Sequence, residues 1–531
     1  MIPQPAQPLP DPPEPPDSLE PEPAPAERAS QLPGLPNFFR NRLAWLEASP
    51  LGARLVSGAF WILLGTGLAR GWSLLASMAV ARLLGAEEFG QLGVIQSTVG
   101  VFSAFAGLGL GLTATKHVAE FRQSDPVQAG RILNLSFRVA VFSGLALAVV
   151  MAVLAGPLAQ HTLGAPQLEG LLRISAIMIL LGALNGAQTG ALTGFEAFKS
   201  IAVVNLRTGL ASCVLLVLGV LLAGVTGAVW SLVATLGVNC LLNHYALRAE
   251  TRRAGVPRTG IGVAEWRLLW RFSLPAMLCS VMIVPVNWVG ITFLIHQPDG
   301  YSEMGWFNAA NQWRNAILFV PQALAGIALP ALANLRLSNE RQQYAKVFWS
   351  NVLLIGSVAL GIALLVIAAS GWIMQSYGAA FTPGRMTLIL LALSAVVMAV
   401  NQVLGADVIS HGRMWAGLFC NSVWAGSFLG LAWWLVPHHG ARGLALAILG
   451  AYPIHSVCLL VLNSRWAGPK PAPPHPGGFT PIVLPEAAPG AIAEPLPSVV
   501  PPGERSSGVT PPVNPSGDRD AAPRPSDPTS P

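Results

Sequence analysis

"ARLLGAEEFGQLGVIQS", residues 81–97, is a short acidic corner between two long apolar runs. Much later the chain reads "DGYSEMGWFNAANQ", residues 299–312, in the same setting, and Glu88 and Gly90 align with Glu303 and Gly305. The echo extends beyond one corner. "NGAQTGALTGFEAFKSIAVVN", 185–205, meets "NQVLGADVISHGRMWAGLFCN", 401–421, with Asn185 on Asn401 and Asn205 on Asn421. The offset between partners is nearly the same in both places, although they lie on separate apolar runs. A constant offset predicts two halves of one design. The corner glutamates read as a solvated turn and helix start, with gating contacts as the alternative.

Composition sets the solvent in which such a design must fold. The 531 residues are 53% hydrophobic and 11% charged, with mean hydropathy +0.54; a soluble domain carries about 25% charge. The chain therefore reads as an integral membrane protein. Residues 1–36 hold 13 prolines and residues 469–531 hold 19. Such segments bury too little apolar surface to offset chain entropy, and both tails are expected to be disordered. The net charge of +6 is scattered between apolar runs, which gives no nucleic-acid signature. The five cysteines lie in apolar runs without CxxC spacing and read as small packing residues.

A helix needs about 20 apolar residues to cross a bilayer. Twelve runs meet that length: 55–81, 91–115, 132–155, 170–192, 200–222, 226–247, 268–295, 305–332, 346–370, 385–408, 414–436 and 442–463. With the N-terminus inside, the inner loops hold 14 Lys and Arg and the outer loops four, Arg82, Arg173, Arg385 and Arg442. The positive-inside rule then places both termini in the cytoplasm. The expected fold is all-α and polytopic: two six-helix bundles, 51–247 and 268–465, in parallel repeat about an axis along the membrane normal. They are joined by a cytoplasmic linker at 248–267. Proline-rich tails cover 1–50 and 466–531, and "NFFRNRLAWLEA", 37–48, reads as an interfacial helix or a plain tether.

The long first run followed by "ARLLGAEEFGQLG", and the seventh followed by "EMGWFNAANQ", resembles the Wzx-like polysaccharide flippases of the oligosaccharidyl-lipid transporter group. That group shares a superfamily with lipid II flippases and with multidrug and toxin exporters. The resemblance covers residues 55–463. It implies two six-helix lobes around a central cavity, rocker-type alternating access, and export of a polyprenyl-pyrophosphate-linked oligosaccharide across the bacterial inner membrane. It also implies a cavity lined by the first, second, seventh and eighth spans. The expected partners are the lipid-linked oligosaccharide, membrane lipids and polysaccharide assembly proteins. No cofactor is expected; an ion gradient or the membrane potential is the candidate energy source.

Ionisable residues inside spans are costly and mark function. Arg70 lies mid-way along the first span on a stripe with Thr66, Ser73 and Ser77. Its guanidinium suits a pyrophosphate, or else neighbouring backbone carbonyls. On the eighth span Asn308, Asn311 and Asn315 recur at helical spacing. An amide row must face protein or water, where it bonds sugar hydroxyls or glues helices together. Arg314 beside that row is a second candidate for the anion. Asn287 on the seventh span, in a stripe with Ser273 and Ser280, and Gln96 on the second complete the substrate-binding set. Arg138 and Arg207 sit just inside cytoplasmic entry points, placed for snorkelling or for lipid phosphate. Asp407 is a candidate proton or cation site, and His455 reads as a packing residue. Pro275, Pro285, Pro321 and Pro330 are expected to bend the seventh and eighth spans.

No Walker-type loop, HExxH or nucleophile elbow is present, which argues against ATP hydrolysis and covalent catalysis. "GLGLGLTATK", 107–116, reads as close helix packing within a span. Two rival cargoes stand beside the first: lipid II, and organic cations. The second rival is weakened by the near absence of mid-span acids. A membrane glycosyltransferase or polymerase would need larger outer loops.

Overall fold

The computed structural model describes residues 50–107, 109–257, 260, 282–337, 341–410 and 414–465. The expected interfacial helix at 37–48 and both proline-rich tails lie outside these residues, as do Ser273, Pro275 and Ser280. Among the described residues there is no strand. The helices are α1 (Pro50–Ala106), α2 (Leu110–Ser124), α3 (Pro126–Pro157), α4 (Glu169–Gly194), α5 (Phe198–Arg253), α6 (Ile283–Ile295), α7 (Gly300–Leu337), α8 (Arg341–Ala368), α9 (Ser370–Tyr377), α10 (Arg385–Ser410) and α11 (Met414–Arg465).

Among the described residues, seven helical segments are long and apolar enough to cross a membrane, fewer than the twelve runs. The difference has a physical source. Three elements each contain two runs and break between them: α1 at Gly85 (φ 79°), α5 at Ala223–Gly224 (φ 55° at the glycine) and α11 at Gly440 (φ 53°). Each break falls in a gap between apolar runs, at a glycine whose positive φ an L side chain rarely adopts. The seventh run is described only from residue 282 onward, as α6.

α5 and α11 are hairpins. The Ser231 hydroxyl donates to the Leu215 carbonyl across the α5 break at 2.7 Å, and Gly219 lies against Gly227 with no room for a Cβ. In α11 the rings of Trp424 and Tyr452 lie 5.8 Å apart across the break, and Gly443 sits on the Leu435 carbonyl. Lipid offers no hydrophobic drive for helix pairing, so small residues that let backbones approach supply the contact. The two hairpins correspond position by position. Gly224 and Gly440, related by the offset that pairs Asn185 with Asn401, adopt φ/ψ of 55°/−135° and 53°/−130°. The Asn185 amide donates to the Leu236 carbonyl at 3.2 Å. Its counterpart Asn401 donates to the Tyr452 carbonyl at 3.0 Å, and Tyr452 is the counterpart of Leu236.

Local signals start several helices. Asp125 caps α3, its carboxylate accepting the Gln128 N–H at 2.9 Å, with Pro126 at the first helical position, where its missing N–H costs nothing.

One expectation needs correction. The second run, 91–115, is not one helix: it breaks at Gly107–Gly109, where Gly109 adopts φ 65° ahead of α2. Beyond the break the close packing does occur, since Gly111 meets Gly190 backbone to backbone and Thr115 donates to the Gly190 carbonyl at 2.9 Å. α5 continues to Arg253, into the stretch expected as the cytoplasmic linker. Pro321 and Pro330 both lie within α7. The Cys420 and Cys458 sulfurs stand 2.9 Å apart across the α11 hairpin, both as free thiols.

Candidate functional site

Glycines let α1 and α7 cross closely. A Cβ on Gly90 would overlap the Tyr301 carbonyl oxygen, and a Cβ on Gly305 would overlap that of Ala86. Tyr301 is the counterpart of Ala86, and Gly305 that of Gly90, so the contact is reciprocal. The quoted corners of the sequence therefore pack on one another. A Cβ on Gly93 would come within 2.8 Å of the Asn308 amide nitrogen. The Trp288 indole N–H donates to the Thr98 hydroxyl at 3.0 Å, bringing α6 against the same arm of α1.

Farther along the crossing lies Arg70. Its Nη1 donates to the Asn315 carbonyl at 3.0 Å, and its guanidinium carbon sits 5.0 Å from the Phe319 ring centroid, within cation–π range. A guanidinium has five N–H donors, and no further hydrogen bond of Arg70 forms among the described residues. Arg70 is half-buried and Asn315 exposed. The backbone-carbonyl contact anticipated for a structural Arg is present, and it uses one donor.

The rest of the predicted set divides. Asn311 is half-buried, and its side-chain oxygen lacks a partner among the described residues. Gln96 is exposed. Asn287 turns back to its own helix, donating to the Ile283 carbonyl at 2.8 Å. Arg314 lies near Tyr452 of α11, and its Nε is buried without a partner among the described residues. Arg138 and Arg207 are exposed on α3 and α5, and no contact joins them to Arg70. Of the Arg70 stripe, Thr66 accepts from Asn205 of α5 at 3.3 Å, Ser77 is buried and Ser73 is exposed. Asp407 is buried and accepts a hydrogen bond from Tyr344.

Polar straps close the end that carries the corners. Arg82 Nε donates to the Ser376 carbonyl at 2.6 Å, and Tyr301 Oη donates to the Leu163 carbonyl at 2.8 Å. Phe89 of α1 packs in an edge-on triad with Tyr377 and Phe381, centroids 6.4 and 5.8 Å away. Glu303 is not a solvated turn residue. Its carboxylate accepts the Ala441 N–H at 2.6 Å, where the second arm of α11 begins. Burial pushes its carboxyl above the usual range, opposed by the Ala441 N–H and Arg442 and aided by Asp299. Burial likewise raises the Tyr301 phenol to about 12. Glu88, the counterpart of Glu303, is exposed. These partners lie far off in sequence and left no local signal; Phe319 was equally hidden among many apolar aromatics.

A pocket of about 460 Å³ opens beside the Tyr301 strap, between the ends of α3, α6 and the first arm of α11.

Paired helical hairpins meeting at a glycine crossing make a polytopic helical fold, and solved structures share it. The chain matches an inward-facing multidrug resistance MATE family transporter of the MOP superfamily with TM-score 0.63 at 15% identity, over 77% of this chain and 98% of that one; this likeness speaks to the fold alone. In sequence, residues 55–336 match the model of the family described as polysaccharide biosynthesis protein, and the chain belongs to that family. It is 26% identical to the EPS I polysaccharide export inner membrane protein EpsE of Ralstonia nicotianae, over 79% of this chain and 93% of the relative. It is 23% identical to the lipid III flippase of Escherichia coli K12, over 76% and 97%. These relatives are export proteins and flippases, not enzymes.

Proposed function

We propose that the chain flips a polyprenyl-pyrophosphate-linked oligosaccharide outward across the bacterial inner membrane, for assembly of a surface polysaccharide. Its relatives' names support the cargo class, and one observation carries the mechanism: Arg70 stands at the α1–α7 crossing with a single donor engaged. In this reading the remaining donors neutralise the pyrophosphate. Asn308, Asn311 and Asn315, with Gln96, bond glycan hydroxyls, and the polyprenyl tail stays in lipid. Arg314, its Nε buried, contributes positive potential rather than a direct contact. Arg138 and Arg207 draw lipid phosphate at the inner leaflet.

The matched hairpins and the reciprocal glycine contact support twelve spans in two six-helix halves about a two-fold axis along the membrane normal. Both termini are cytoplasmic, so the strapped end is periplasmic. Alternation then opens and closes that end. An ion gradient or the membrane potential drives the cycle; one charge across 100 mV is worth about 2.3 kcal/mol.

The test is translocation of a fluorescent polyprenyl-pyrophosphate sugar in proteoliposomes. Arg70→Ala is expected to slow it at least tenfold and Arg70→Lys less. A wild-type rate in Arg70→Ala removes the pyrophosphate role; no movement by the wild-type protein removes the function.

A further inference from the structure

We propose that the pocket beside the Tyr301 strap is a sugar-binding subsite, which holds a neutral residue of the glycan at the strapped end. The inference rests on the flippase reading for the source of the sugar and on the pocket's own chemistry for the ligand class. Its volume of about 460 Å³ is within the range of small-molecule sites. Among the described residues that line it, none bears a carboxylate, an ammonium or a guanidinium. A phosphate or a cationic headgroup would find no opposite charge there.

What lines it instead is neutral and amphipathic. Trp433 presents a large ring, 72% exposed, with Phe293 nearby. Around them stand His161, Thr162, His296 and Gln297. Their existing bonds define what remains available. His296 Nδ1 contacts the Thr292 carbonyl at 2.7 Å. A carbonyl only accepts, so Nδ1 carries the proton and Nε2 is left as an acceptor. Gln297 Nε2 gives one N–H to the Phe293 carbonyl at 3.1 Å, which leaves a second N–H and the side-chain oxygen. His161 and Thr162 add both donor and acceptor capacity. Mixed donors and acceptors around an aromatic face match a pyranose ring, which offers hydroxyls on its rim and C–H groups on its face.

The other half lacks this arrangement. At the positions that the repeat offset aligns, Gln297 corresponds to Arg82, His161 to Ser376 and Trp433 to Val217. There Arg82 Nε is bonded to the Ser376 carbonyl at 2.6 Å. Each rim carries a strap, and the Tyr301 strap has the aromatic pocket beside it. Trp433 is also placed as an interfacial anchor, but its neighbour Trp434, 63% exposed, shares that role without lining the pocket and serves as the control.

The experiment uses the full chain in nanodiscs free of glycoside detergents. The probe is the labelled oligosaccharide released by mild acid from the producing cell's polyprenyl-linked pool. Saturable binding is expected to weaken at least tenfold in Trp433→Ala and Gln297→Ala, and to be unchanged in Trp434→Ala. Trp433→Phe keeps most of it, which separates ring loss from misfolding. The proposal is overturned if the wild-type protein shows no saturable binding, if Trp433→Ala binds as the wild type does, or if glycerophosphoethanolamine displaces the probe at equal concentration. Proteoliposome translocation of the intact lipid-linked oligosaccharide is measured in parallel. Translocation without probe binding sinks the pocket alone; probe binding without translocation sinks the flippase reading and leaves the pocket.

Discussion

At Gly90 a single hydrogen atom decides whether α1 and α7 can cross. A methyl group there would overlap the Tyr301 carbonyl, and backbone cannot retreat as a flexible side chain does. Gly90→Ala is expected to destabilise the protein by about 1–3 kcal/mol, the usual range for overpacking. Gly305→Ala should cost a similar amount, since its methyl would overlap Ala86 in the same way. Combined, the two should cost less than their sum, because one separation relieves both overlaps. Melting temperatures of the three variants in one detergent check this; strict additivity would separate the two contacts. Sequence alignment of the two corners located both glycines, but alignment alone gives no hint that they touch. Arg70 was legible for a simpler reason: a cation mid-way along an apolar run stands out. Its bond to the Asn315 carbonyl was not, because every residue offers a carbonyl.

At the scale of the element, α11 shows how a hairpin is fixed at its tip. Gly440 adopts φ 53°, and a Cβ there would overlap the Glu303 carboxylate. Gly224 has the matching conformation with open space around it. Gly224→Ala should therefore cost only the backbone strain, about 1–3 kcal/mol. Gly440→Ala should cost more, and the excess in unfolding free energy measures the Glu303 contact. The burial of Glu303 also carries a pH signature. Burial raises the Glu303 carboxyl above its ordinary 4.5, so the folded protein holds the proton more tightly than the unfolded chain. Its contribution is complete below pH 4.5 and declines as pH rises through the raised value. Melting temperature should fall across that window, and Glu303→Gln should flatten the fall. A slope unchanged in Glu303→Gln would assign it to another group. The hairpins themselves were readable as pairs of apolar runs, with their breaks in the gaps. The break at Gly107–Gly109 was not, because "GLGLGL" is as apolar as the helix it interrupts.

Across the whole molecule, polar bonds between distant elements hold the end that carries the two corners. Arg82 reaches Ser376 and Tyr301 reaches Leu163. If that end opens during transport, a covalent tie across it should stop the cycle. Oxidation of an Arg82→Cys/Ser376→Cys pair in the chain is expected to abolish translocation in proteoliposomes, and reduction to restore it. Full activity of the oxidised protein would show that this end need not part. Loop charge sets only the expected orientation, and apolar length only the expected number of runs. Neither carries information on which bonds hold this end, since those partners are 138 and 294 residues apart.

The glycine crossing has a kinetic corollary. Two bare backbones that slide apart release no interlocked rotamers and drag no methyl groups past one another, so this seam adds little friction to separation. How long the end stays shut is then governed by the Arg82 and Tyr301 bonds and the aromatic triad around Phe89, and trimming those should shorten the dwell time without altering the route.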